Sequence, residues 1–157
     1  MQAQWVTLVY RLPREPSTPR ITLWRKLRRL GVAQVSDGLV ALPLDSRNRE
    51  QLEWLADEVI EAGGDASLWI STPATAAQER ALAASMAERI AEEYRTIVRD
   101  AEGAFGAGEG ERRRTLARLR RELRRIGSRD YFPPPEREQA RAAVEGLAER
   151  VVVEVTR

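Results

Sequence analysis

The chain has 157 residues, 43% of them apolar, and its 26 basic and 24 acidic side chains leave a formal charge of only +2. It contains neither cysteine nor histidine, which excludes disulfides, thiol redox chemistry and cysteine-ligated zinc, and removes the usual general base of enzymes. We therefore expect one domain, or a compact domain with added helices, that is not a nucleophilic or zinc enzyme.

The sequence gives no sign of a membrane or secretory protein. No run approaches the roughly 18 uncharged apolar residues that a membrane-spanning helix needs. The first residues lead directly into a strand pattern, without the basic and apolar regions of a signal peptide. These features predict a cytoplasmic protein that has no membrane partner.

Charge is distributed unevenly, and all but one of the basic residues are arginine. Residues 1–31 carry seven basic and one acidic side chain, whereas residues 45–65 carry two basic and seven acidic ones. Residues 109–125 are basic again, with eight basic and three acidic side chains. This pattern predicts either internal electrostatic matching or a basic surface for an anionic partner.

Residues 1–73 predict a ferredoxin-like α+β module. Strand and helix patterns follow one another in the order βαββαβ, over residues 4–12, 20–30, 32–36, 39–43, 46–62 and 66–71. Asp37-Gly38 between the second and third strands is a strong signal for a two-residue hairpin turn. In this fold the first and fourth strands are neighbours in an antiparallel sheet, and both helices cover one face.

Apolar side chains of this module define its expected core. In the first helix they recur at three-residue steps, and in the second they fall near one face: Ile21, Trp24, Leu27 and Leu30 with Leu23, then Leu52, Leu55, Val59 and Ile60. The four tryptophans, at positions 5, 24, 54 and 69, all lie in this module. We expect them to belong to the core on the two faces of the sheet; the alternative is that they stack bases on an open sheet.

Residues 74–157 predict a helical extension of three helices. Thr75-x-x-Gln78 is typical of a capping box for a long helix to about Ala101, with the apolar line Leu82, Met86, Ile90, Tyr94, Ile97 and Ala101. Gly103–Gly110 predicts a flexible break, the least ordered part of the chain. Two further helices follow over 112–126 and 136–150, with the apolar lines Leu116, Leu119, Leu123 and Ile126, then Ala140, Val144, Leu147 and Val151. The tail 151–157 is compatible with either helix or strand.

The first candidate anion-binding set lies on helix 20–30 and consists of Arg25, Lys26, Arg28 and Arg29. Positions 25, 28 and 29 share one helical face, which the prediction places opposite Trp24 and Leu27. These side chains form either a solvated outer face or a set of contacts to phosphates.

The second candidate set lies on helix 112–126, at steps of four, three and four residues: Arg114, Arg118, Arg121 and Arg125. Arg113, Arg120 and Arg124 flank it, and Glu122 is the only acidic residue between positions 112 and 126. These like charges repel unless something compensates them. Either they pair with the acidic segment 45–65 or with Glu92 and Glu93, or they form an oxyanion or nucleic-acid site.

Catalytic patterns are not found in the sequence. No carboxylate pair has a spacing that suggests acid–base catalysis, and neither the Gly63-Gly64 pair nor the segment 103–110 matches a phosphate-binding loop. We therefore predict no catalytic residue, no metal ligand and no cofactor.

Several motifs, in this order and spacing, resemble the N-terminal domain of the chromate-resistance protein B (ChrB) family over about residues 4–150. They are Tyr10-Arg11-Leu12-Pro13, Trp24-Arg25-x-Leu27-x-x-Leu30-Gly31, Leu42-Pro43, Glu53-Trp54-Leu55, Gly63-Gly64, Glu93-Tyr94 and Arg129-Asp130-Tyr131-Phe132-Pro133. The first module is also similar to the C-terminal part of PaaX-type repressors and to the Cas2 nuclease fold. Where those nucleases have a metal-binding Asp after a Tyr, this chain has Arg11 after Tyr10, which argues against nuclease activity.

The resemblance implies a bacterial regulatory or accessory protein of chromate resistance, in a family with chromate-responsive transcriptional regulators. Together with the two arginine-rich helices and the lack of catalytic patterns, it predicts a DNA-associated regulator without catalytic activity, with DNA and a chromate or sulfate oxyanion as partners. Longer members of that family carry a further C-terminal domain. Two alternatives stay open: an oxyanion-sensing module that does not bind DNA, and an interaction module that forms a homodimer.

Overall fold

The computed structural model describes residues 3–155, and their side chains as far as Val152. The elements are β1 Trp5–Arg11, α1 Thr18–Leu30, β2 Ala33–Ser36, β3 Leu39–Pro43, α2 Ser46–Glu61, β4 Asp65–Ser71, α3 Ala76–Ala104, α4 Glu109–Gly127 and α5 Glu136–Val155. The chain divides into two compact units, Met1–Met86 and Ala87–Arg157, and α3 contributes residues to both.

The sheet of the first unit has four strands in the order β2-β3-β1-β4, and every pairing is antiparallel. The central strand β1 pairs Val6 with Leu42 on one side and Thr7 with Trp69 on the other. Because β1 and β4 are neighbours, the predicted ferredoxin-like strand order is confirmed. The α+β class, with three helices after the sheet region, is also confirmed.

The core of the first unit follows from the two-residue period of the strands and the 3.6-residue period of the helices. Val6 and Leu8 share one face of β1 and are fully buried. The buried apolar residues of α1 and α2 are Leu23, Leu27, Leu52, Leu55, Ala56 and Val59. Ile60 is 55% exposed, so its predicted place in the core is wrong.

Helix α1 also differs from its predicted packing, because only Leu23 and Leu27 are buried on it. Three residues fall about 60° short of a full turn of an α-helix. Side chains at successive three-residue steps therefore lie progressively further round the helix, and they cannot all face the core. Leu23 and Leu27 are four residues apart and stay on one face. Ile21 and Trp24, 48% and 51% exposed, therefore lie outside the core that the sequence pattern predicted for them.

The tryptophans do not behave as one group. Trp5 is buried, as predicted, and its indole Nε1 donates a hydrogen bond of 3.4 Å to Glu79 Oε1. Trp24, Trp54 and Trp69 are each more than half exposed, so the prediction that they are core residues is wrong.

Helix α1 begins earlier than predicted and ends at the predicted residue. The helix begins at Thr18, two residues early, because Pro19 occupies the first turn, where a missing N–H breaks no helical hydrogen bond. It ends at Leu30, and the next residue, Gly31, caps it with a φ of 74° in the left-handed region. The N–H groups of Gly31 and Val32 donate to the carbonyls of Arg28 and Leu27 and close the last turn.

The second unit has a continuous apolar core formed by α3, α4 and α5. Its buried residues include Ile90, Tyr94, Ile97, Ala101, Leu116, Leu119, Ile126, Ala140, Val144 and Leu147, while Leu123 and Val151 are partly buried. The predicted apolar lines of the last two helices are thus confirmed. Residues 151–155 continue α5 as helix, and residues 156–157 lie outside the described part of the chain.

The glycine-rich segment is more regular than predicted. Gly103 lies inside α3 and Gly110 inside α4, so only residues 105–108 connect the two helices. Arg112 Nη1 donates a hydrogen bond of 2.9 Å to the Phe105 carbonyl across this connection. Burial of Ala104 extends α3 despite the low helix propensity of glycine, because packing outweighs a local cost of about 1 kcal/mol.

Candidate functional site

The four residues of the first basic set differ in whether their charge is paired with a carboxylate. Lys26 Nζ lies 2.8 and 2.9 Å from the two carboxylate oxygens of Glu58, so this charge is compensated by α2. Arg25, Arg28 and Arg29 are exposed, and no carboxylate of the described residues lies within 4 Å of their guanidinium nitrogens. Three of the four predicted residues therefore present uncompensated charge, and Lys26 does not.

Trp24 belongs to this basic surface and is not opposite to it, contrary to the prediction. The Cζ atom of Arg28 lies 4.7 Å from the centroid of the Trp24 ring, a cation–π contact. Residues 20, 24 and 28 are spaced one turn apart, so Arg20, Trp24 and Arg28 form one ridge along α1. The spacing of these three residues is the sequence signal that would have identified this ridge.

A surface groove lies beside the ridge. It has a volume of about 1030 Å³ and is bordered by α1, the end of β1, and residues of β2 and the β2–β3 turn. Its aromatic and charged lining residues are Tyr10, Arg11, Arg20, Trp24, Arg25 and Asp37. Sequence reasoning missed this groove, because its residues come from three separated segments.

Tyr10 is half-buried and lines this groove. Burial raises the pKa of Tyr10, Asp37 raises it further, and Arg20 opposes this effect. The phenol therefore stays protonated at neutral pH and can donate a hydrogen bond to a ligand.

The second basic set lies on α4 and is exposed along its length. Arg118 is the member whose charge is compensated, since it contacts Glu122 at 2.9 Å and Asp100 at 3.3 Å. These contacts raise the pKa of Arg118, the hydrogen bond with Glu122 contributing most. Arg114, Arg121 and Arg125 form no ion pair with any described side chain.

Two other arginines near this basic set, Arg113 and Arg129, form ion pairs with carboxylates. Arg113 pairs with Glu109 at 2.5 Å, one turn before it. Glu93, which the sequence suggested as a partner for the α4 arginines, pairs with Arg129 instead. We call the exposed set Arg114, Arg121 and Arg125 the α4 arginine face.

A buried polar pair lies near the start of the segment after α4. The side chain of Asp130 is only 1% exposed and accepts a hydrogen bond of 2.7 Å from the Tyr94 hydroxyl. Burial and this hydrogen bond raise the pKa of Tyr94 far above its usual value. The pair fixes the segment after α4 to α3, which gives a structural reason for the Arg129-Asp130-Tyr131-Phe132 motif.

The described part of the chain offers neither a metal-binding cluster nor a membrane-spanning helix. Among the side chains that the structure describes, no three acidic groups are placed so that they could hold a metal ion. No helix within residues 3–155 is both long enough and apolar enough to cross a membrane.

Comparisons with known proteins agree with one another. A family model described as "Protein ChrB, N-terminal" matches residues 20–154, which include nearly all of α1 and all of α4. Protein ChrB of Cupriavidus metallidurans is 29% identical over an alignment of 136 residues, which covers 84% of this chain and 41% of that protein. The chain thus spans about two fifths of the length of this relative. No solved structure gives a significant match.

Proposed function

Since this chain belongs to the ChrB family and matches its N-terminal domain, we propose that it is a DNA-associated regulatory protein of chromate resistance that responds to an oxyanion. The proposal assigns it to transcription regulation in the cytoplasm and gives it no catalytic activity. Its DNA contacts are to the phosphate backbone, and arginine side chains of α4 make them.

The observation that carries this proposal is the uncompensated charge of the α4 arginine face. Arg114, Arg121 and Arg125 are exposed within one stretch of helix and have no carboxylate partner among the described side chains. The eleven residue steps from Arg114 to Arg125 cover about 16 Å of helix, a length over which duplex DNA presents about ten backbone charges. Guanidinium groups bind phosphate through paired N–H donors, so this surface fits that partner.

The oxyanion response follows from the same chemistry. Chromate is a tetrahedral dianion whose oxygens accept the hydrogen bonds that phosphate oxygens accept. An arginine face that binds DNA phosphates therefore binds chromate in competition with DNA. Chromate would release the protein from DNA, which is the direction that induction of a resistance system requires.

The DNA part of the proposal is tested by titrating a labelled duplex with protein at several salt concentrations. Each lost phosphate contact reduces the slope of log K against log salt by about 0.9. We expect Arg121→Ala with Arg125→Ala to weaken binding and to reduce the slope by about two. Arg47→Ala with Arg80→Ala is the matched control, because these two arginines are exposed, lie outside α4 and form no ion pair with any described side chain.

The control variant should change affinity much less than the double variant does. Circular dichroism should show the same helix content in all three proteins, since these side chains are exposed. Equal affinity and equal salt slope for the wild type and the double variant would refute a DNA contact through the α4 arginine face.

A further inference from the structure

We propose that the groove of the first unit binds a nucleoside phosphate, with the base stacked on Trp24 and the phosphate held by arginines of the groove. The inference rests on the ridge of α1 and its surroundings. It does not depend on the α4 arginine face, and a nucleoside phosphate differs from both duplex DNA and a simple oxyanion.

The stacking surface is already in place. Trp24 is 51% exposed and lines the groove, and the Cζ atom of Arg28 lies 4.7 Å from the centroid of its ring. Ile21, one turn earlier, is also exposed and extends the apolar surface beside the indole. An indole side chain has only two rotatable bonds, so it loses little conformational entropy when a base stacks on it, which favours binding.

The charge of the groove selects for an anion. Its charged lining residues are three arginines and one acidic residue: Arg11, Arg20, Arg25 and Asp37. Arg20 precedes Trp24 by one turn, and both residues line the groove. The hydroxyl of Tyr10 adds a donor that stays protonated. Arginine and hydroxyl donors beside an aromatic ring suit a phosphate that is attached to a base.

The size of the groove favours a nucleoside phosphate over an inorganic oxyanion. The groove volume of about 1030 Å³ is far larger than a single tetrahedral anion needs, and such an anion has no ring to cover the indole. Two sources share the required chemistry: a free nucleotide, and an unpaired nucleotide in a nucleic-acid strand.

Calorimetric titration of the full chain with AMP, adenosine, inorganic phosphate and a short single-stranded oligo(dA) tests the inference. We expect AMP or the oligonucleotide to bind saturably, and more tightly than adenosine or phosphate. Tighter binding of AMP per nucleotide identifies the free nucleotide as the source, and tighter binding of the oligonucleotide identifies the strand. Failure of both AMP and the oligonucleotide to bind, or phosphate binding as tight as that of AMP, would overturn the inference.

Three variants locate the site. We expect Trp24→Ala to weaken AMP or oligonucleotide binding about tenfold, the effect of losing one stacked base, and Trp24→Phe to keep most of the affinity. Trp54→Ala is the matched control, because Trp54 is 56% exposed on α2 and does not line the groove. Equal weakening by Trp24→Ala and Trp54→Ala would exclude this site. Since these titrations contain no duplex, a protein that binds AMP but no duplex would keep this inference and lose the DNA proposal.

Discussion

At the scale of single residues, the Tyr94–Asp130 pair is the clearest case of a buried polar contact that must be satisfied. Asp130 Oδ2 accepts the Tyr94 hydroxyl, while Oδ1 is buried and has no hydrogen-bond partner among the described residues. The guanidinium of Arg137 lies 4.0 Å from Oδ2 and supplies the nearest positive charge. The stability of a carboxylate buried in this way depends strongly on the hydrogen bond that it accepts from the Tyr94 hydroxyl.

Tyr94→Phe removes that donor without changing the shape of the ring. We expect the free energy of unfolding to fall by about 1–3 kcal/mol, because a buried carboxylate oxygen then lacks its partner. Urea unfolding followed by circular dichroism measures the change. A variant as stable as the wild type would show that water or another donor satisfies Asp130 equally well.

The raised pKa values of Tyr94 and Tyr10 give stability a defined dependence on pH. A folded-state pKa above the unfolded value of about 10 means that the folded protein holds protons that the unfolded chain releases. This stabilisation is fully present below about pH 10 and is lost as the pH rises towards the raised values. We expect a steeper alkaline loss of stability in the wild type than in Tyr94→Phe, measured by urea unfolding between neutral and strongly alkaline pH. Identical pH profiles would contradict this assignment.

At the scale of elements, the two-residue turn between β2 and β3 shows how one glycine fixes a hairpin. Gly38 has a φ of 73°, and its carbonyl accepts the Tyr10 N–H at 2.8 Å. A Cβ atom at this position would lie 2.5 Å from the Tyr10 carbonyl oxygen. Both the left-handed backbone and this close approach therefore require glycine.

Gly38→Ala should lower the free energy of unfolding by more than the roughly 1–2 kcal/mol that a left-handed alanine alone costs. Gly63→Ala is the matched control, since Gly63 has a φ of 88° but nothing within 4 Å of its added Cβ. Thermal unfolding of both variants separates the contact from the backbone strain. Equal losses in the two variants would show that β1 moves away from the turn without penalty.

The elements also show which features the sequence could predict. The strands and the hairpin were predictable because alternating apolar residues and Asp37-Gly38 are local signals. The faces of α1 were not, because Trp24 fits both an apolar line and a ridge with Arg20 and Arg28. Only the position of α1 relative to the sheet decides between them, and that position depends on contacts far apart in sequence.

At the scale of the whole molecule, arginine is concentrated on one helix of each compact unit, α1 and α4. The sequence predicted both sets, since clustered charge is visible without a structure. It could not predict that Lys26 pairs with Glu58 or that Arg118 pairs with Asp100, because these partners come from other helices. The structure thus reduces eight candidate residues to six whose charge is free of any described carboxylate.

The two proposed binding surfaces lie in different units, the α1 ridge in the first and the α4 arginine face in the second. The α4 arginine face offers charge without an exposed aromatic ring among the residues of α4, which suits phosphates. The α1 ridge combines charge with an indole, which suits a base together with its phosphate. The two activities can therefore be tested separately with duplex DNA and with AMP.

The most direct test of an oxyanion-responsive DNA-binding protein is the dissociation constant for a duplex, measured with and without chromate. Ionic strength is held constant with chloride, at a mildly alkaline pH where chromate is a dianion, so that general screening does not differ. We predict that chromate raises the dissociation constant severalfold in the wild type and has little effect on the residual binding of Arg121→Ala with Arg125→Ala. An unchanged dissociation constant in the wild type would contradict the proposed function.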